Sequence, residues 1–76
     1  MGRVLVFGAG LVGGWVADTL AADGHHVTAV DTNPSALAAR SPGVVALNAP
    51  AAAGMVDEHA PDVVVNTPVS YTHLRA

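Results

Sequence analysis

The chain has 76 residues, a formal net charge of −3 at pH 7, 51% hydrophobic residues and only 4% aromatic ones. No run of about 18 uncharged apolar residues appears, which argues against a membrane-spanning helix, and the lack of cysteine excludes disulfides and thiolate metal sites. The acidic balance offers no surface for nucleic acid, and with the N-terminus entering a strand directly a cytoplasmic protein without a signal peptide is expected.

The first apolar run, Arg3-Val4-Leu5-Val6-Phe7, predicts a buried parallel strand. A glycine-rich turn follows at once, Gly8-Ala9-Gly10-Leu11-Val12-Gly13, and opens a helix over Leu11 to Ala22. Such a GxGxxG turn between strand and helix is a dinucleotide-binding fingerprint. Gly8 permits the tight turn, Gly10 lets the backbone approach a pyrophosphate, and Gly13 lets the helix lie close to the sheet. Free amides and the positive end of the helix dipole both favour an anion at that point.

Within this helix Val12, Val16 and Leu20, with Trp15 and Thr19, repeat at helical spacing and predict one apolar stripe on the sheet, with Asp18 and Asp23 outside it. Trp15 is expected to pack against a neighbouring element, not to serve as a platform for adenine. Gly24 suits the position just past the helix end, and His26-Val27-Thr28-Ala29-Val30-Asp31 predicts the second strand. Its terminal carboxylate lies about 20 residues beyond the turn, where it would meet an adenosine ribose. Thr32 and Asn33 follow, and the nearest downstream base is Arg40, so NAD is expected over NADP.

Asn33 and Pro34 cap and start a short helix expected to run to Arg40. Val44 to Leu47 predict a third strand, Pro50 to His59 a third helix, and Asp62 to Asn66 a fourth strand. Repeated strand and helix units with right-handed crossovers give an α/β fold, a Rossmann-like doubly wound parallel sheet of about four strands, truncated before a fifth and sixth. Val63, Val64 and Val65 are expected to form an edge open on one side.

His25 and His26 lie in a turn with no carboxylate at ligand spacing, so no metal site is expected. Asp57 and Glu58 suit a solvated helix face, and His59 suits a helix C-terminus. No nucleophile and base pair is present, and no catalytic residue is assigned.

The last eight residues, Val69 to Ala76, match one reading frame of the mosaic-end adaptor of transposase-made DNA libraries. Residues 1–68 are therefore expected to be a partial dinucleotide-binding domain, and residues 69–76 an adaptor-derived tail with no structural role.

The glycine turn, Val27 to Asp31, Asn33-Pro34 and Asp62 to Asn66 together resemble the N-terminal cofactor-binding half-domain of saccharopine dehydrogenase-like reductases, over residues 2 to about 67. The resemblance implies an NAD(P) oxidoreductase whose substrate-binding and catalytic residues lie downstream. It implies that Gly8, Gly10 and Gly13 serve the phosphates, that Asp31 lies at the ribose, and that Asn66 and Thr67 lie near the cofactor; Ala9, Leu11, Val12 and Thr32, which adjoin them, are expected to be cofactor-binding as well. A nucleotide-sensing regulatory domain of a potassium-uptake system would begin in the same way and catalyse nothing; sequence beyond the fourth strand would tell the two apart. Sugar-nucleotide reductases of the extended short-chain class share a segment like Ala60 to Asn66 but space their glycines as GxxGxxG. A flavoprotein fits only the first unit.

Overall fold

The structure is a computed structural model that describes residues 2–50, 52 and 54–67. Strands and helices alternate: β1 (Arg3–Phe7), α1 (Leu11–Ala22), β2 (His26–Asp31), α2 (Pro34–Ala38), β3 (Val44–Asn48), α3 (Gly54–His59) and β4 (Val63–Asn66). The strands form one parallel sheet in the order β3-β2-β1-β4. This is the Rossmann-like doubly wound arrangement expected from the sequence. The tail read as adaptor-derived lies outside the described residues. Among the described residues, no helix is long and apolar enough to cross a membrane.

Element ends follow local chemistry. Gly24 takes a φ of +94° just beyond α1, and its amide donates to the Ala21 carbonyl at 3.0 Å, a left-handed stop that a side chain would strain. Asn33 caps α2 by accepting from the Ser35 amide at 3.0 Å, with Pro34 in the first turn. The expected extension of α2 to Arg40 does not form; the helix ends at Ala38. Asp18 on α1 accounts for that stop, since its carboxylate accepts from the Ser41 amide at 2.9 Å and lies 3.8 Å from the Arg40 guanidinium. The Ser41 turn is thereby tied to α1, and the chain leaves the helical path. At the start of β4, Asp62 accepts from the Arg3 amide at 2.9 Å and donates its own amide to the Arg3 carbonyl at 2.8 Å, which sets the register of β4 on β1.

The core is made of small and branched aliphatics. Val4, Val6, Ala9, Ala17, Val27, Ala29, Leu37 and Val44 form one cluster, with Leu20, Ala21, Ala36 and Val65 packed against it. Here the apolar stripe expected for α1 is corrected. The buried residues of that helix are Gly13, Gly14 and Ala17, while Val12 and Trp15 are 65% and 68% exposed and Thr19 is exposed as well. Trp15 therefore does not pack against a neighbouring element as expected. Helical geometry places positions 13, 17 and 21 on one face, and close approach to the sheet leaves room there only for glycine and alanine. Leu11, Val12 and Trp15 are turned outward as a result, while Leu20 still packs against the core from the border of that face. At β4, Val63 and Val64 are also exposed, in keeping with an open edge.

This inversion makes a direct prediction. Ala17→Leu should destabilise the protein by about 1–3 kcal/mol through overpacking, whereas Trp15→Ala should change stability by less than about 0.5 kcal/mol. Urea unfolding of the two variants checks this; a Trp15→Ala loss as large as that of Ala17→Leu would contradict the packing described.

Candidate functional site

The sheet order reverses between β1 and β4: the chain steps from β1 outward through β2 and β3, then returns to lay β4 on the other side of β1. In open α/β sheets a crevice forms at such a switch, at the carboxyl ends of the strands. The glycine turn leaves β1 at this point, and Thr67 leaves β4 beside it.

The three fingerprint glycines are held to their identity by different things. Gly8 adopts a φ of +96°, and a Cβ there would collide with the Thr67 backbone and hydroxyl. A Cβ on Gly13 would collide with the Gly8 carbonyl and the Thr67 hydroxyl. Both glycines are therefore required by the fold itself. Gly10 differs: its φ of −71° is open to any residue, and a Cβ would meet nothing within 4 Å. Among the described residues, nothing asks for glycine at position 10.

The amides around Gly10 are equally turned outward. Gly8 donates to the Val30 carbonyl at 2.8 Å, Ala9 to the Asp31 carboxylate at 2.7 Å, and Gly14 to the Gly10 carbonyl at 2.8 Å. Among the described residues, the amides of Gly10, Leu11, Val12 and Gly13 have no acceptor. They belong to the first turn of α1, where no intrahelical partner exists. No side chain caps that turn and no acidic residue stands in it. Leu11 is 94% exposed, so the surface over these amides is open. Glycine at position 10, four free amides and an uncompensated helix N-terminus together make a cradle for an anionic group.

Asp31 sits beside this cradle at the end of β2. One carboxylate oxygen accepts from Ala9, and the other accepts from the Asn33 amide at 2.9 Å. The Ala9 bond and then the Asn33 bond hold its carboxyl below the ordinary range, against an upward push from burial, with a lesser downward contribution from Thr32. A carboxylate offers about four lone-pair sites, so capacity for a hydroxyl donor remains beside the Ala9, Asn33 and Thr32 bonds.

The structure brings Gly8 to Gly13, Asp31 and Thr67 together. Thr32 is exposed next to Asp31, and Asn66 is exposed at the end of β4, paired in register with Phe7. Thr67 directs its hydroxyl toward the carbonyls of Phe7 at 2.9 Å and Gly8 at 3.1 Å. Its side chain thus wedges the turn, a role that its position in the sequence did not show. Arg40, too, has a role missed in the sequence: it lies against Gly14, where a Cβ would collide with the guanidinium. His25, placed in a turn by the sequence, also ties down the start of the chain, its Nδ1 accepting from the Gly2 amide at 3.0 Å. An open hollow of about 380 Å³ beside Arg3, Leu5, His26, Thr28, Glu58 and His59 lies at the other end of the strands. It contains none of the turn residues, and the chemistry of the switch point outweighs its size.

Compared with known proteins, the chain matches the family described as "3-hydroxyacyl-CoA dehydrogenase, NAD binding domain" over residues 3–75, and it belongs to that family. The cofactor of the family is NAD, as expected from Asp31. No curated protein and no solved structure matches the chain.

Two predictions come from this geometry. Gly10→Ala should leave stability unchanged within about 0.5 kcal/mol, while Gly13→Ala should cost about 1–3 kcal/mol by overpacking; thermal or urea unfolding of both separates them. Because the folded carboxyl of Asp31 titrates below its unfolded value, its contribution is fully present above about pH 4 and is lost as pH falls through the folded value. The stability difference between wild type and Asp31→Ala should therefore shrink on acidification below about pH 4, as read by unfolding across a pH series. A difference that grows on acidification would contradict the sign.

Proposed function

We propose that the chain binds NAD across the switch between β1 and β4, with the pyrophosphate on the amides of Gly10, Leu11, Val12 and Gly13 and the adenosine ribose on Asp31. The observation that carries this reading is Gly10, whose lack of a side chain no described part of the fold requires and a close-lying phosphate does. Gly8, Ala9 and Thr67 shape the turn from beneath. Thr32 lies on the ribose side, and Asn66 lies toward the remainder of the dinucleotide.

Bound NAD would supply the hydride acceptor, which no side chain provides. This chain's own residues then do three things. The free amides neutralise the pyrophosphate without bringing in a cation. Asp31 accepts hydrogen bonds from the ribose hydroxyls through its remaining lone pairs, and its charge repels a 2′-phosphate. The exposed Leu11 and Val12 at the lip of the cradle offer apolar surface to the cofactor.

For the whole protein we propose a dehydrogenase that exchanges hydride between NAD and a hydroxyl-bearing carbon, with the reacting groups supplied by sequence other than this chain. The saccharopine dehydrogenase-like reading rests on the glycine turn, Asp31 and the segment from Asp62 to Asn66. Those are features of the nucleotide-binding half, and family membership favours a hydroxyacyl thioester over a secondary amine as substrate. The reading of residues 69–76 as adaptor-derived rests on the eight-residue match alone, and the family match extends through most of that segment.

Dissociation constants for NAD and NADP test the cofactor assignment. Wild type should favour NAD, and Asp31→Ala should narrow that preference by about 1–3 kcal/mol, the cost of a lost charge-assisted hydrogen bond. Tighter binding of NADP than of NAD by wild type would sink the assignment.

A further inference from the structure

We infer that Asp31 is a positioning residue for the pyrophosphate, acting through the shape of the glycine turn, in addition to any contact with the ribose. The inference rests on the dinucleotide reading above and deepens it. Its basis is the pair of bonds made by the Asp31 carboxylate: Ala9 amide to one oxygen at 2.7 Å, Asn33 amide to the other at 2.9 Å.

Ala9 is the residue between the two glycines that open the turn. Its side chain is buried, 1% exposed, in the core cluster. Its amide is the last one before the four that stay free. Gly8 next to it is anchored by the Val30 carbonyl at 2.8 Å. The end of β2 therefore holds two consecutive amides of the turn, one by a backbone carbonyl and one by the Asp31 carboxylate. Without the second bond, the peptide between Gly8 and Ala9 is held only through its carbonyl, by the Thr67 hydroxyl at 3.1 Å, and glycine at position 8 gives its amide wide freedom to swing and carry the following turn with it. Two further constraints keep the carboxylate itself in place. Asn33 holds its other oxygen, and the backbone carbonyl of Asp31 accepts from the Ala49 amide at 3.1 Å.

A ribose contact and a positioning role make opposite forecasts for a ligand without ribose. If Asp31 served only the ribose, removing its negative charge would leave inorganic pyrophosphate binding unchanged or tighter. If Asp31 holds the turn, pyrophosphate binding weakens despite the loss of a nearby like charge.

The experiment uses the whole 76-residue chain as wild type, Asp31→Ala, Asp31→Asn and Asp62→Ala. Asp62 supplies a matched control, since it also binds a backbone amide through its carboxylate, at Arg3 on the opposite end of the sheet. Inorganic pyrophosphate binding is measured by calorimetry and Ala9 amide exchange by NMR. Asp31→Ala should accelerate Ala9 exchange and weaken pyrophosphate binding by about tenfold each, the equivalent of one lost charge-assisted bond. Asp31→Asn, which keeps one acceptor oxygen, should fall between wild type and alanine and serves as the reading if the alanine variant does not fold. Asp62→Ala should lose stability while its pyrophosphate affinity stays at the wild-type value.

Unchanged or tighter pyrophosphate binding in the Asp31 variants, or unchanged Ala9 exchange, overturns the inference. Equal weakening by Asp62→Ala also overturns it, by reducing the effect to general stability. If wild type takes up neither NAD nor pyrophosphate while Ala9 exchange still accelerates in the Asp31 variants, the dinucleotide reading fails and the hold of Asp31 on the turn stands.

Discussion

The rest of the structure depends on one close contact, the seating of Gly13 against the Gly8 carbonyl and the Thr67 hydroxyl. It brings the first turn of α1 onto the backbone that leaves β1, and it does so beside the residue that leaves β4. Any side chain at position 13 would lift the helix. Lifting it would open the Thr67 wedge, and with it the path that Gly8 takes at positive φ. The height of α1, the aim of its N-terminus and the meeting of β1 with β4 are thus set together.

From that height the composition of the core follows. A helix lying so close leaves space for Ala17 and Ala21 beneath it, and the sheet answers with Val4, Val6, Val27 and Ala29. Apolar burial contributes roughly in proportion to area, so a core of small side chains gains little from each residue and depends on close packing. Backbone and carboxylate ties supplement it at the edges: Asp18 on the Ser41 amide, Asp62 on the Arg3 amide, Asp31 on the Ala9 amide. Three of the acidic residues thus bind main-chain amides across 22 or more positions of sequence. Their charge serves the fold more than the surface.

This explains which parts were legible in the sequence. Strand and helix order, the parallel sheet and the roles of Gly8, Gly24 and Asn33 rest on local rules of turn and cap, and local rules can be read from neighbouring residues. The facing of α1 was not legible, because a stripe of Val12, Val16 and Leu20 competes with one of Gly13, Ala17 and Ala21, and hydrophobicity alone selects the larger side chains. The Gly13 contact decides for the smaller ones, and that contact needs Thr67, 54 positions away. The second role of Asp31 and the fit of Arg40 against Gly14 were hidden for the same reason: each depends on a partner brought close only by the folded chain.

The site raises an electrostatic question, since a carboxylate stands next to a cradle built for an anion. Its two amide bonds answer part of it. They draw the charge of Asp31 toward the Ala9 and Asn33 amides. The rest is supplied by α1, whose first turn carries no acidic residue and no capping side chain. In most helices a Ser, Thr, Asn or Asp would satisfy one of those amides, and stability would gain by it. Here the N-cap is Gly10, whose side chain satisfies none, so the helix forgoes a cap at a cost of about a few tenths of a kcal/mol. Among the described residues, the uncapped helix end and the glycine that meets no neighbour are the same feature seen twice: polar capacity left open, which the proposed dinucleotide would complete.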